Sequence, residues 1–438
     1  MGCRGAADGV FRTRKLHGLR QAKKSLGVTK DWHPHTVRDV LPDPAAVTST
    51  RPRWAIWGSE LSPFALKLRA CCDWASLPYA WMPADGGRLR NLRANWLVER
   101  AKRTRTVVRY PALDALDEYP LVPFLIEDDR RVMYDSSALA AWIDDCHPAS
   151  QGRLVPTDPA VAFAARLIDE AFDEIGLYLV HHNRWVMSAT TNDAGARLAG
   201  EFRRVLPPGM GWLLARRFSE RQVRRLPYLF SVAPAGFSVG VRPALTPPAR
   251  DGFPPTHAII EEMWAALLAA LEPILTRRPF LLGDGFTIAD AGVYGQLCMN
   301  LKDPTAAADI RRRAPATFAW LEAIRDRRHV GASGPPRVEP DLAELVGVMA
   351  RTFVPLMAQN ERAYEEARGR GETLFNEPAF DRGRALYDGT LLGKPFRSVV
   401  KTFQVRVWRE LRAAWAALDS DARARLQPVV TGKMLGFE

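Results

Sequence analysis

The chain has 438 residues, 47% hydrophobic and 25% charged, enough for two or three soluble globular domains with a sizeable core. Its net charge is +12, but eight basic residues face only Asp8 within the first 30, so the body is mildly basic and no nucleic-acid partner is expected. The five cysteines are odd in number and hold no C-x-x-C pair, which argues against a disulfide framework or a zinc finger and for a reducing, cytoplasmic setting.

Residues 1–50 read as a basic leader, expected to be disordered. It lacks the apolar core of a secretory signal, and Ala6 breaks the myristoylation pattern that Gly2 would begin. The sequence contains no run of 18 apolar residues, so neither a membrane-spanning helix nor a membrane partner is expected. Trp54 to Trp57 is a short apolar run closed by Gly58, the pattern of a buried strand. Pro63 then opens a helix that continues through Leu66, Leu68, Cys72 and Trp74. Tyr79 to Met82 is a second strand, and strand-helix-strand predicts a parallel pair. Residues 84–120 read as irregular, with an Arg-rich piece from Arg88 to Arg109. Leu121 to Ile126 is a strand interrupted by Pro123, and Val132 to Tyr134 returns it as a hairpin after Asp128-Asp129. Asp135 or Ser136 caps the next helix, which runs to Asp145.

From Asp158-Pro159 the spacing turns helical, and it stays so over 160–187. Residues 207–256 are rich in Pro and Gly and predict a long irregular excursion. Ile260, Trp264, Leu267, Leu271 and Ile274 mark one stripe of a helix over 257–276, and 317–328 predicts another. The segment after 340 predicts at least two more helices, the last carrying Phe403, Val407, Leu411, Trp415 and Leu418. The expected domains are an α/β unit over 51–148, an all-helical unit over 155–330 and a helical extension over 331–438.

Three local motifs carry chemistry. Gly58-Ser59-Glu60-Leu61-Ser62-Pro63 places two serines where a strand hands over to a helix. Backbone N–H groups there favour an anion, and either hydroxyl can donate to a thiolate. Val122-Pro123 needs an explanation, since proline cannot serve a central ladder; a cis peptide would turn the Val122 backbone towards an extended ligand. Asp135-Ser136 at a helix start can take the ammonium and carboxylate of an amino-acid head group. Each could also be a plain turn or cap.

Taken in order, and with Leu281-Leu282-Gly283-Asp284-Gly285-Phe286-Thr287-Ile288-Ala289-Asp290 further on, these motifs resemble the glutathione S-transferase superfamily. The resemblance covers roughly residues 51–330. It implies a thioredoxin-like βαβ-ββα domain followed by a helical domain, with extra helices beyond. It implies Ser59 or Ser62 as the thiol-activating hydroxyl, Val122 and Pro123 on the cysteinyl backbone of glutathione, and Asp135 and Ser136 on its γ-glutamyl end. Thr287 and Asp290 are expected to form a structural capping box. Two departures stand out: Asp135 replaces the usual Glu or Gln, and the chain before Pro123 is unusually long.

Tyr178, His181, His182 and Trp185 are candidates for the electrophile pocket, being on the helix after the interdomain linker. No E-x-x-H or H-x-x-x-H spacing favours a metal there, and none is expected. Cys71 and Cys72 read as buried, inert thiols. The basic stretch from Arg216 to Arg225 reads as a solvated face. The implied activity is conjugation of glutathione, as substrate, to a small apolar electrophile by a homodimer. The alternatives are a binding or scaffold protein of the same fold, and a glutathione-dependent reductase or dehalogenase.

Overall fold

The structure, a computed structural model, describes residues 52–109, 116–117, 121–147, 149, 152–237 and 250–437. The leader, Cys3 and the middle of the 207–256 excursion lie outside the described residues.

Strand β1 (Trp54–Trp57) is buried at all four positions because it lies between two neighbours. It runs parallel to β2 (Tyr79–Met82), reached through helix α1 (Pro63–Trp74). After α2 (Arg88–Thr104) and a two-residue β3 (Val108–Arg109), strand β4 (Phe124–Glu127) pairs antiparallel with β1 and returns as β5 (Arg131–Tyr134). The sheet order is β2-β1-β4-β5-β3, the mixed sheet of a thioredoxin-like domain. Alternate residues sort to its two faces. Trp54 and Ile56 pack with Leu66 and Leu68 of α1 and with Leu139 and Ile143 of α3 (Ser136–Cys146). Ala55 and Trp57 pack with Ala94, Val98 and Ala101 of α2.

Helix α2 corrects the irregular reading of 84–120. Its buried stripe is made of small residues and Asn91, whose Nδ2 donates to the carbonyls of Pro83 and Asp85 at 3.0 and 3.2 Å. Its large apolar residues Leu89, Leu92 and Trp96 are exposed, so the usual hydrophobic signal is inverted.

Helix α4 (Pro159–Ala171), a wide π-type turn (Phe172–Gly176), α5 (Leu177–His182) and a second such turn (Asn183–Met187) make one helical run, as the spacing over 160–187 predicts. α6 (Ala194–Glu201) and α7 (Gly211–Arg224) follow. α7 is a second correction, a helix inside the expected excursion; it buries only Ser219 and Val223. α8 (His257–Arg277), α9 (Ile288–Cys298), α10 (Pro304–Arg313) and α11 (Pro315–Arg325) complete the helical layer. Gly295 lets α9 lie against the start of α1, since a Cβ there would sit 2.6 Å from the Pro63 carbonyl oxygen.

The extension adds α12 (Ala343–Arg351), α13 (Phe353–Gly369), α14 (Asn376–Asp381), α15 (Thr402–Ala416), α16 (Ser420–Leu426) and α17 (Gly432–Leu435). It also contains a hairpin, β6 (Leu386–Leu391) and β7 (Lys394–Val399), where only helices are expected. The Gln359 side chain reads the hairpin edge as a strand would, accepting from Thr390 N at 2.9 Å and donating to its carbonyl at 3.0 Å. The extension joins the main core: Val407, Trp408 and Leu411 belong to the same buried cluster as Leu167 and Leu267. Among the described residues, no helix is long and apolar enough to cross a membrane.

Candidate functional site

A cavity of about 1040 Å³ opens between the sheet domain and the helices, and all three sequence motifs reach its wall. The first does so at the start of α1. Ser62 is the N-cap, its Oγ accepting from Ala65 N at 3.4 Å, with Pro63 at the first helical position. Ser59 Oγ accepts from Leu61 N at 3.1 Å, and its hydroxyl also bonds the Glu201 carboxylate. Burial pushes the Glu201 carboxyl up, while the hydrogen bond from Ser59 counters it. Both serines line the cavity, yet the Ser59 hydroxyl is already committed to a carboxylate.

The second motif sits at the entry to β4. The Val122–Pro123 peptide is cis, and both residues line the cavity. A second cis peptide, Met82–Pro83, stands at the end of β2. The third motif starts α3. Asp135 is its N-cap at φ +76°, with Oδ1 accepting from Ala138 N at 3.0 Å, and Ser136 is the first helical residue. The positive φ sets the Asp135 carboxylate and the Ser136 hydroxyl on the cavity wall beside the N–H groups of α3.

Residues 57–151 match the family model of the glutathione S-transferase N-terminal domain. The match covers the sheet domain and not the helices that follow it. Among solved structures, the β-etherase LigF of Sphingobium sp. strain SYK-6 is similar at 18% identity, over 63% of this chain and 98% of that one, with a TM-score of 0.37. A glutathione S-transferase of Ceriporiopsis subvermispora, solved in complex with glutathione, is similar at 15% identity over 63% and 97% of the two chains, TM-score 0.37. Glutathione transferase F7 of Populus trichocarpa is similar at 16% identity over 63% and 95%, TM-score 0.33. No curated protein matches the chain.

The opposite wall of the cavity carries four carboxyl groups. Asp169, Glu170, Asp173 and Glu174 all line it, spaced along one face of α4 and the wide turn after it. Lys67 of α1, fully buried, bridges Asp169 at 2.5 Å and Asp173 at 2.7 Å and donates to Ser137 Oγ at 2.7 Å. Burial opposes its charge, but the two carboxylates outweigh that and hold the ammonium protonated. Burial pushes the Glu174 carboxyl up to about 8, so it is largely neutral at neutral pH.

The structure brings Tyr178, His181 and Trp185 to the cavity but not His182. His181 Nε2 pairs with Gln222 Oε1 at 3.1 Å, and burial, aided by Arg225, pushes its pKa down to about 3, so it is neutral. His182 corrects the expectation: its Nδ1 bonds Ser231 Oγ at 2.8 Å and its ring meets His257 at 4.7 Å, outside the cavity lining. Consecutive helical residues point some 100° apart, and here that turn carries His182 to Ser231 while His181 stays on the cavity wall. Thr287 and Asp290 form the capping box of α9, Asp290 also accepting from Leu281 N at 2.8 Å.

Sequence reasoning missed the contribution of the extension. Lys401, Phe403, Arg406, Val407 and Glu410 of the α15 segment all face the cavity. Arg406 lies 2.7 Å from Asp117, 3.2 Å from Glu410 and 3.9 Å from Asp135. Burial works against its charge, and those three carboxylates more than offset it. The signal available in the sequence was Lys401 and Arg406 interrupting the apolar stripe of the last predicted helix. Cys71, Cys72 and Cys298 are buried and burial pushes their thiols up, which leaves them protonated and poor nucleophiles. Among the described residues, no group of three or more His, Cys, Asp or Glu is arranged to hold a metal.

Proposed function

We propose that this protein binds glutathione in the cavity and conjugates its thiolate to an electrophile held between the sheet domain and the helices. The observation that carries the proposal is the convergence of Ser62, the cis Val122–Pro123 peptide and the Asp135-Ser136 helix start on one cavity. Glutathione lies extended along Val122, its γ-glutamyl end at Asp135 and Ser136. Ser62 is the activating hydroxyl rather than Ser59, because Ser59 is engaged with Glu201 while Ser62 accepts from Ala65 and keeps its hydrogen to give. A donor at a helix N-terminus stabilises the thiolate, and fixing it beside the acceptor supplies the remaining acceleration.

Calorimetry with glutathione and the ultraviolet absorbance of its thiolate test the proposal. Wild-type protein should bind glutathione, and Ser62→Ala should lose the thiolate band and about 100-fold in kcat, as removal of one oxyanion donor does. Ser59→Ala should keep the band. Loss of the band in Ser59→Ala alone would reverse the assignment. A second reading, a binding protein without turnover, is favoured by Arg406 standing close to Asp135; glutathione binding without conjugation of any acceptor would select it.

A further inference from the structure

No residue of α2 lines the cavity, yet α2 carries the largest apolar exposure of the molecule. Among the described residues six large apolar side chains are exposed. Five of them, Leu89, Leu92, Trp96, Met210 and Trp212, lie on α2 and at the start of α7. Leu89 is 84% exposed and Trp212 66%. Leu89, Leu92 and Trp96 follow one another at helical spacing, on the side of α2 opposite the buried Asn91, Ala94 and Val98. The segment after α6 brings the two helices together. Phe202 and Val205 pack on the cluster that holds Ala94 and Val98, and Arg204 Nη1 donates to the Gly86 carbonyl at 2.5 Å. Met210 stands only five residues beyond Val205, a reach of at most about 18 Å.

Positive charge gathers at the same place. Residues 88–105 hold seven basic side chains against Glu99, and residues 203–225 hold seven against Glu220, so the two segments together carry +12. Beyond residue 30 the chain nets +5, so everything else there nets −7. Arg93, Arg100 and Arg103 stand on the exposed side of α2 among its apolar residues, and none of the three meets a carboxylate among the described residues. Arg100 lies over the Trp96 ring, 5.2 Å from its centroid. Bulky apolar side chains set among unpaired arginines suit an anionic bilayer: leucine and indole enter beneath the headgroups while the guanidiniums meet lipid phosphates and carboxylates. A nucleic acid would engage the arginines but leave Leu89 and Leu92 in water. A second copy docked by the same face would set arginine against arginine. We propose that α2 and the start of α7 form a docking face for anionic phospholipid membranes. The expectation of no membrane partner rests on spanning helices, and this mode needs none, since the helices lie in the plane of the interface. The inference stands apart from the transferase reading.

The test is co-sedimentation of the full chain with vesicles of phosphatidylcholine alone and of phosphatidylcholine mixed with phosphatidylserine. Wild type should partition to the phosphatidylserine vesicles far more than to the neutral ones, and salt should release it. Arg93→Gln with Arg100→Gln should lower the partition coefficient about tenfold, and Leu89→Ser with Trp96→Ser about tenfold as well. All four side chains are exposed, so urea midpoints should stay at the wild-type value. Arg368→Gln with Arg370→Gln, exposed at the end of α13, should bind as wild type does. The apolar pair is the deciding variant, because the basic leader could hold a vesicle by charge alone. Undiminished binding in Leu89→Ser with Trp96→Ser overturns the inference, as does equal partition to both vesicles or partition to neither. Binding to a DNA duplex in place of vesicles overturns it in favour of a nucleic acid. A dimer that the apolar pair dissociates in the ultracentrifuge, with no vesicle binding, overturns it in favour of a second copy.

Discussion

Asp135, Ser136 and Ala138 build one part of the cavity wall from neighbouring residues at one helix start. Tyr178 and Lys401, by contrast, meet across 223 residues of chain, through a clamp from Asn360. The first arrangement needs only a capped helix, and its parts fix one another through φ, the N-cap bond and the helix dipole. The second exists only when the extension has docked on α5. A cavity of this kind can keep one wall constant while the other is set by whatever segment packs over it.

The largest expected effect lies at the junction of the two halves. Lys67→Met leaves Asp169 and Asp173 facing each other in a buried site, so unfolding in urea should show a loss of about 3–5 kcal/mol. A loss near zero would mean that the carboxylates take up protons and that the bridge does not hold the halves together. Next, Asp135→Ala should weaken glutathione about 10- to 100-fold by calorimetry, the scale of a lost charged hydrogen bond. It should leave the relative rates on two acceptors unchanged.

Arg406→Ala probes where the ends touch. Arg406 comes from the extension but sits beside Asp135, where under the proposed function it would meet the γ-glutamyl carboxylate. Glutathione should bind about fivefold more weakly, roughly 1 kcal/mol; tighter binding would identify Arg406 as a competitor for Asp135. The smallest effect is a change of slope. The Glu174 carboxyl has its pKa raised from 4.5 to about 8 by burial, so the folded protein binds a proton there that the unfolded chain releases. Its contribution to stability is present at low pH, declines between about pH 4.5 and 8, and is lost above that. Urea midpoints followed over this range should fall less steeply in Glu174→Gln than in wild type.

Much of this architecture was legible before the fold. The buried run Trp54–Trp57, Pro63 behind a serine cap and the Thr287–Asp290 box are short-range signals, and each forms where the sequence places it. Helix α2 was not legible, because its large apolar residues face solvent and its buried stripe is Ala and Val. The β6–β7 hairpin was hidden for a related reason. Its strands alternate with Asp388, Gly389 and Arg397, and the side chain of Gln359, far away in sequence, completes one edge.

The site divides in the same way. The sequence alone determined the serine turn, the Val122-Pro123 step and the Asp135-Ser136 cap, since turn and cap chemistry is decided within a few residues. Only the tertiary structure decided that Ser59 is taken by Glu201, that His182 turns away from the cavity, and that Lys401 and Arg406 enter it from the extension. Those outcomes depend on which side chains burial forces together over long separations, and periodicity in one segment carries no information about the partner that will cover it.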